Sequence, residues 1–155
     1  MASVNYQEIF EQFLGNITDP ELLNLNTSDI YIIMTEYLHK TVAASYVRHL
    51  FTTAVLDDEV QIFTFEMQYS IDEDSDNEFV ITALSKWMVY EWLKKQANSK
   101  LLTSQMFGTK ESKFYAQSSQ LNSVQALCDS AYKEARDYIR DRGYVNNSYL
   151  DGGTT

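Results

Sequence analysis

FVITALSKWMVYEWL, residues 79–93, is an apolar run of helical length that only four polar residues interrupt: Thr82, Ser85, Lys86 and Glu91. At 3.6 residues per turn, one broad face collects Val80, Ala83, Leu84, Trp87, Met88 and Trp92, and Phe79, Tyr90 and Leu93 widen it. Asn77 is the predicted N-cap, and Lys94 and Lys95 stand at the C-terminal end, where cations suit the helix dipole. A helix with so wide an apolar surface has to be covered on more than one flank. We therefore predict that the rest of the chain packs around it.

Length and composition indicate a single soluble domain. The 155 residues, 45% of them hydrophobic, suffice for a real core, and the single proline and five glycines leave no obvious linker. No apolar run reaches about 18 residues, and the start of the chain lacks the pattern of a signal peptide. We expect a protein made in the cytosol with no membrane segment. Cys128, the only cysteine, stands at helical spacing from Val124 and Tyr132, which favours a small core residue over a nucleophile.

Charge is distributed unevenly along the chain. Residues 1–78 carry 15 acidic and 2 basic side chains, whereas residues 79–155 carry 7 acidic and 10 basic ones. The acidic half is interpreted first as a solvated surface that keeps the protein soluble, and second as one of two complementary patches that let copies dock side by side. A nucleic-acid-binding role is disfavoured, because the first half lacks the clustered Lys and Arg that phosphate contacts need.

The spacing of apolar residues predicts further helices on both sides of the central one. A first helix spans Asn5–Leu14, and a brief helical turn follows within Thr18–Leu23. A second long helix begins at Thr27 and runs to about His49. A final helix begins at Ser118 or Ser119 and ends at Arg142, where Gly143 can terminate it.

The period changes after Leu50. Val60–Tyr69, VQIFTFEMQY, is rich in β-branched and aromatic residues and predicts a strand, with Phe51–Leu56 as its partner across an acidic turn. A two-stranded hairpin alone is only marginally stable, so it must lie on the helices, be completed by strands of another copy, or extend towards a partner. Gln96–Gln117 is predicted to be a long ordered connection with room for one short helix.

Together these elements predict a mainly α protein. The expected architecture is a small helical bundle of three to four main helices with an inserted β-hairpin near residues 51–69. Residues 1–143 form one domain in this prediction, and residues 144–155 form an extended C-terminal tail. The tail contains four large apolar residues, Tyr144, Val145, Tyr149 and Leu150, which a disordered tail would not usually have.

The acidic run from Asp72 to Glu78 is the one cluster that suggests a metal site. Its carboxylates alternate as at the front of a calcium loop. However, Asn77 stands where that loop needs glycine, and Ala83 where it needs a bidentate glutamate. We therefore predict a solvated acidic loop.

Catalysis finds little support in the sequence. His39 and His49 are too far apart for a metal pair on one helix, and each is interpreted as a surface or satisfied core histidine. The sequence contains no phosphate loop, dinucleotide fingerprint, nucleophile elbow or cysteine pair. We predict a protein that is not an enzyme and that uses no cofactor and no metal.

The second half of the chain contains a helix ending EWLKKQANS, the connection MFGTKESKFYAQ, the polar start of the last helix and its exit through RDRGYVNNSYL. In these features it resembles the head-to-tail connector (adaptor or neck) proteins of tailed bacteriophages. The resemblance covers about half of the chain and is a pattern of elements. It implies a virion protein of the neck, assembled in the host cytoplasm into a homo-oligomeric ring of about twelve copies.

The resemblance also implies partners and contact residues. The ring binds the portal protein on one side and a stopper or tail protein on the other, and DNA passes through it without sequence-specific binding. The implied portal contact consists of Tyr144, Val145, Asn146, Asn147, Tyr149 and Leu150. The implied contact with neighbouring subunits or the tail side consists of Leu101, Leu102, Met106, Phe107, Phe114, Tyr115, Phe63 and Phe65. The implied channel-lining carboxylates, which repel DNA, are those of Asp72, Asp74 and Asp76.

Alternatives from three classes remain open. In the first, the chain is a stopper or tail-terminator protein of the same neck. In the second, it is a helical adaptor module unrelated to virions, which forms a one-to-one complex and no ring. In the third, it is a hydrolase that uses the acidic cluster. The last alternative requires a divalent metal, whose binding would stabilise the fold.

Overall fold

A computed structural model of the chain describes the backbone of residues 1–17, 24–107 and 111–145, and the side chains of residues 1–17, 24–98 and 122–142. Within these ranges the elements are β1 (Ala2–Asn5), α1 (Tyr6–Gly15), α2 (Thr27–Ala43), α3 (Ser45–Arg48), β2 (Phe51–Asp57), β3 (Ile62–Met67), α4 (Glu73–Phe107) and α5 (Glu111–Val145). The prediction of a mainly α protein is confirmed. The helical turn predicted within Thr18–Leu23 lies outside the described residues.

The predicted central helix forms the middle of α4. It contacts α1, α2, α5 and β1, so it is covered on several sides. Val80, Leu84 and Met88 are fully buried, and Trp87 is nearly so. The prediction that this stripe lies at the centre of the core is confirmed. Burial of such large side chains supplies the main favourable term in folding, about 1.5–3 kcal/mol for each one fully removed from water.

The two long helices extend well beyond their predicted ends. Each has 35 residues and is therefore about 52 Å long. The connection predicted over Gln96–Gln117 is wrong, because α4 continues to Phe107 and α5 already begins at Glu111. Gly143 does not end α5, and Tyr144 and Val145 belong to that helix rather than to an extended tail. Helices that pair with each other need only a sparse apolar seam, which the sequence prediction did not weigh.

The side chains of α4 and α5 pair in antiparallel register. Phe79 stacks on Tyr138 with ring centroids 5.3 Å apart. Farther along α4, Tyr90 lies 5.0 Å from Tyr132 between ring centroids. Partners on α5 therefore come earlier in the chain as α4 advances. Leu93 and Ala97 of α4, and Cys128 of α5, are also buried, so the seam continues past the aromatic pairs.

The first two predicted helices are present, with one correction. The backbone N–H of Asn5 donates to Glu8 Oε2 at 3.2 Å at the start of α1, and Asn16 caps the C-terminus of this helix. The second long helix does not run to His49, because Ala44 leaves the helical conformation with ψ 128° and a separate short helix, α3, follows. This break turns the chain so that Val47 enters the core. No glycine or proline marks it in the sequence.

The sheet has three antiparallel strands in the order β1-β3-β2. β3 pairs with β2 on one side and, on the other side, with the N-terminal strand of the same chain, with Ala2 opposite Phe65 and Asn5 opposite Ile62. This strand was missed because ASVN carries a single large apolar residue, Val4. β3 is therefore the central strand, paired on both sides by strands of the same chain.

The inner face of the sheet corrects two predicted contact residues. Phe63 and Phe65 are fully buried. Both rings pack on Phe51 of the neighbouring strand in edge-on geometry, at 5.4 and 5.6 Å between centroids. Because residues alternate between the two faces of a strand, these side chains point into the core and do not reach a neighbouring subunit.

Truncating this inner face tests the assignment. Phe65→Ala is expected to lower the free energy of unfolding by about 3–5 kcal/mol, since it leaves a cavity in the core. The matched control is Val55→Thr on the outer face of the same sheet, where Val55 is 52% exposed; its expected effect is within about 0.5 kcal/mol. Urea denaturation measures both. Equal effects would show that Phe65 is not a core residue.

Candidate interaction surfaces

Exposed acidic side chains predominate on the first half of the described surface. Most exposed carboxylates lie on α1, α2, the β2–β3 turn, β3 and the start of α4 (Glu8, Glu11, Asp29, Glu36, Asp57, Asp58, Glu59, Glu66, Asp72, Glu73, Asp74 and Glu78), and three more lie on α5 (Asp129, Glu134 and Asp141). Exposed cations lie mainly on α4 and α5: Lys94, Lys95, Lys133, Arg136 and Arg140. In the first half, Lys40 and Arg48 are the exposed basic residues of the described part. The surface of the first half is therefore acidic, whereas the described part of α5 carries both signs of charge.

The acidic run is helical, which corrects the predicted loop. Asp72 precedes α4, and its Oδ1 accepts the backbone N–H of Ser75 at 2.8 Å, so it caps the helix. Glu73 and Asp74 follow in the first turn, where negative charge suits the positive end of the helix dipole. Among the described residues, no group of three or more His, Cys, Asp or Glu side chains could hold a metal ion.

Asp76 does not belong to the exposed set, although it was predicted to line a channel. It is only 3% exposed. Its Oδ2 accepts the hydroxyl of Ser70 at 2.5 Å, and its Oδ1 accepts the backbone N–H of Ile71 at 3.1 Å. The guanidinium of Arg142 donates to the same Oδ1 through Nη2. The prediction for Asp76 is therefore wrong, because its carboxylate faces the interior.

The partner of Asp76 is held equally firmly. Arg142 lies near the end of α5, and its guanidinium carbon is 4.3 Å from the centroid of the Phe79 ring. Both members of the Asp76–Arg142 pair are largely buried. Removal of one member of a buried ion pair leaves the other charge uncompensated, which is far more costly than loss of an exposed pair. The pair thus fastens the start of α4 to the end of α5.

A second polar cluster joins the β2–β3 turn to α1 and α2. The buried hydroxyl of Tyr6 donates to Asp58 Oδ1 at 2.7 Å, and Nε2 of His39 lies 2.9 Å from Asp58 Oδ2. These hydrogen bonds, that of Tyr6 first, lower the pKa of the Asp58 carboxyl. Burial, together with the same hydrogen bond, raises the pKa of Tyr6. His39 is thus a surface histidine with a carboxylate partner, in line with its interpretation from the sequence.

Part of these pairings was readable from the sequence. Asp76 lies on the same helical stripe as Val80, Ala83 and Trp87, and Arg142 follows Ala135 and Ile139 at the same spacing. A charged residue on a buried stripe indicates a paired partner. Sequence reasoning missed the Tyr6–Asp58–His39 cluster because no local pattern links residues 52 and 19 positions apart.

The remaining predicted contact residues lie around the α4–α5 connection, at the start of α4, or beyond the described residues. Leu101, Leu102, Met106 and Phe107 lie in the last turns of α4, and Phe114 and Tyr115 in the first turns of α5, next to the connection between these helices; their side chains are outside the described set. Asn146, Asn147, Tyr149 and Leu150 lie beyond the described residues. Asp72 and Asp74 are exposed and close together before and within the first turn of α4.

Cys128 lies in the α4–α5 seam. It is buried, which agrees with the prediction of a small core residue. Burial raises the pKa of its thiol, which disfavours the reactive thiolate form.

Across the described residues, no helix is long and apolar enough to cross a membrane.

Removing Arg142 tests the buried pair. Arg142→Met keeps much of the side-chain length but removes the charge, and we expect it to lower the free energy of unfolding by about 3–5 kcal/mol, because Asp76 stays buried without its cation. Arg140→Met on the same helix is the control, since Arg140 forms an exposed pair with Asp137 at 2.9 Å that contributes at most about 1 kcal/mol. Similar losses in the two variants would contradict a special role for Arg142.

Removing the Tyr6 hydroxyl tests the second cluster. Tyr6→Phe is expected to cost about 1 kcal/mol at neutral pH, because the hydrogen bond goes to a half-exposed carboxylate. The lowered pKa of Asp58 means that its contribution is present above the ordinary value of 3.8 and is lost as the pH falls through the lowered pKa. The difference between wild type and variant should therefore narrow below about pH 4.

The control for this experiment is Tyr31→Phe. Tyr31 packs on Phe10 at 5.5 Å between ring centroids, much as Tyr6 does at 5.7 Å, but it has no part in the Asp58 cluster. Its effect should be smaller and independent of acid pH. A Tyr6→Phe effect that stays constant through the acid range would count against the assignment.

Comparison with known proteins returns no match for this chain, whether to a family model, to a characterised protein or to a solved structure.

Proposed function

We propose that this chain is a structural protein of a tailed-phage virion, a head-to-tail connector whose copies form a ring below the portal. The ring extends the DNA channel and offers a docking surface for the tail. The sequence resemblance supports this proposal, and the segments that carry it fall on the end of α4, on the residues that join it to α5, and on α5 itself. No catalytic or cofactor role is part of the proposal.

The observation that carries the proposal is the acidic surface of α1, α2 and the β2–β3 turn, which differs from the mixed surface of α5. In a closed ring each subunit uses one surface towards the neighbour on its left and a different surface towards the neighbour on its right. Exposed carboxylates predominate on α1, α2 and the β2–β3 turn, whereas exposed cations lie on α4 and, among carboxylates, on α5, so the chain has two surfaces that differ in charge. Complementary charge favours this docking and disfavours contacts between like surfaces.

The proposal gives each surface a role. The exposed carboxylates of Asp72 and Asp74 line the channel, where negative charge repels DNA and lets it slide. The turns around the α4–α5 connection contact a neighbouring subunit or the tail side. The C-terminal segment that follows Val145 binds the portal. At the level of the fold, we propose that the helices form a small bundle around α4, with the β2–β3 hairpin inserted and the C-terminal segment extended in the assembled ring.

The direct test is electron microscopy of tailed particles labelled with an antibody raised against this chain. Label at the head–tail junction is the expected result. Label elsewhere on the particle would keep a virion role but discard the connector. Absence of label from particles, with the protein abundant in the lysate and its epitopes accessible, would favour the non-virion adaptor.

The charge argument has a separate test in the purified protein. Lys133→Glu combined with Arg140→Glu reverses two exposed cations on α5, and we expect this variant to stay folded but to lose rings in native mass measurements. Raising the salt concentration to about 1 M, where the Debye length falls to about 3 Å, should dissociate wild-type rings in the same way. Rings that resist both changes would show that charge does not hold the subunits together.

Measurements on the purified protein separate the alternatives. Antibody against a stopper or terminator protein would also label the head–tail junction, but the purified protein would not bind the portal protein. A helical adaptor outside the virion gives a defined one-to-one complex with its partner and no ring at any salt concentration.

A further inference from the structure

An apolar groove of about 280 Å³ lies between the end of β3, α3 and the last turns of α5. Tyr46 and Leu50 form one side, Met67 and Tyr69 the second, and Ile139 and Arg142 the third. Tyr69 at the rim is 59% exposed, whereas Met67 and Ile139 at the base are buried. The volume of the groove is near the lower limit for a ligand site and could hold one or two large side chains.

The walls of this groove are fixed by contacts from behind. The ring of Tyr46 stacks on Trp87 with centroids 5.8 Å apart and an angle of 16° between the ring planes. The guanidinium carbon of Arg136 lies 5.1 Å from the centroid of the same Tyr46 ring. Arg142 is held by Asp76. The backbone N–H of Gln68 donates to the carbonyl of Leu50 at 2.8 Å, which joins the remaining two walls. A groove held in this way is open without a rearrangement of its walls.

The chain itself leads a suitable occupant to the groove. α5 ends at Val145, three residues after Arg142 and six after Ile139, which is about 4.5 and 9 Å along the helix axis. The next ten residues contain two large apolar side chains, Tyr149 and Leu150, in an otherwise polar segment. Four residues from Val145 to Tyr149 reach up to about 13 Å. The segment is therefore long enough to turn back into the groove of its own subunit.

We propose that in the free subunit this groove is the docking site of the chain's own C-terminal segment, with Tyr149 and Leu150 as its anchors. An intramolecular segment on a short connection acts at an effective concentration of about millimolar, so two apolar anchors suffice. Docking covers the ring of Tyr69, which is otherwise 59% exposed.

This inference goes beyond the proposed function, because it concerns the subunit before assembly. If the chain is a connector, the same segment leaves the groove when it binds the portal. The groove assignment stands or falls on the free protein alone, whether or not a ring forms.

The test is photo-crosslinking in the full-length protein. A Tyr149→benzoylphenylalanine variant keeps an aromatic anchor and reacts with the groups that it contacts. Mass spectrometry is expected to find the crosslink in a monomer, at residues 46–50, 67–69 or 139–142. An Asn147→benzoylphenylalanine variant is the control, and it should give a clearly lower yield at these positions.

Each other outcome overturns the proposal. Crosslinks between isotopically distinct chains in a mixed sample would show that a second copy occupies the groove. Crosslinks outside the groove, or a yield no higher than the control, would show that the segment does not dock there.

A second measurement uses milder variants. Tyr149→Ser with Leu150→Ser should increase the fluorescence of a hydrophobic dye that binds the open groove, and should lower Tm by about 2–4 °C. The matched control, Asn146→Ser with Asn147→Ser, changes the same segment without removing an apolar anchor and should change neither quantity. Equal dye binding by wild type and both variants would also overturn the proposal.

Discussion

The buried ion pair between Asp76 and Arg142 connects the two longest elements of this protein. One member lies in the first turns of α4 and the other in the last turns of α5, and both are shielded from water. Two antiparallel helices joined by a short connection can slide by one turn at little cost when their seam is only moderately apolar. A charge that is buried in one register and unpaired in the others makes such a slip expensive. The aromatic pairs farther along the seam then follow from this fixed register.

The fixed register has consequences for the rest of the fold. It places Phe79 on Tyr138 and Trp87 near Tyr132, and Trp87 in turn supports Tyr46 on the opposite side. Ser70 and Ile71 donate to Asp76, so the chain that leaves β3 is held at the same point. The Asp76–Arg142 pair therefore holds the sheet, the helix pair and the groove between them. Loss of Arg142 would destabilise all three.

In the ring that we propose, such rigidity would have a use. Each subunit would meet two neighbours through two different surfaces, and these surfaces would need a fixed angle, because an error in one subunit accumulates around a closed ring. The second polar cluster adds to this rigidity on the acidic side, where Tyr6 and His39 hold Asp58 in the β2–β3 turn.

The sequence by itself determined the apolar stripe of α4, the helices that precede it, the hairpin of β2 and β3, and the burial of Cys128. These are local periodicities, and each of them is encoded within a few turns of helix or one pair of strands. Only the tertiary structure decided that β1 completes the sheet, that the predicted loop and connection are helical, and that Asp76 faces Arg142 rather than a channel. Those features depend on partners separated by tens of residues, such as the 66 positions between Asp76 and Arg142. The carboxylate of an Asp side chain is stable either in water or paired with a cation, and only the packing of the helices determines which of these environments Asp76 has.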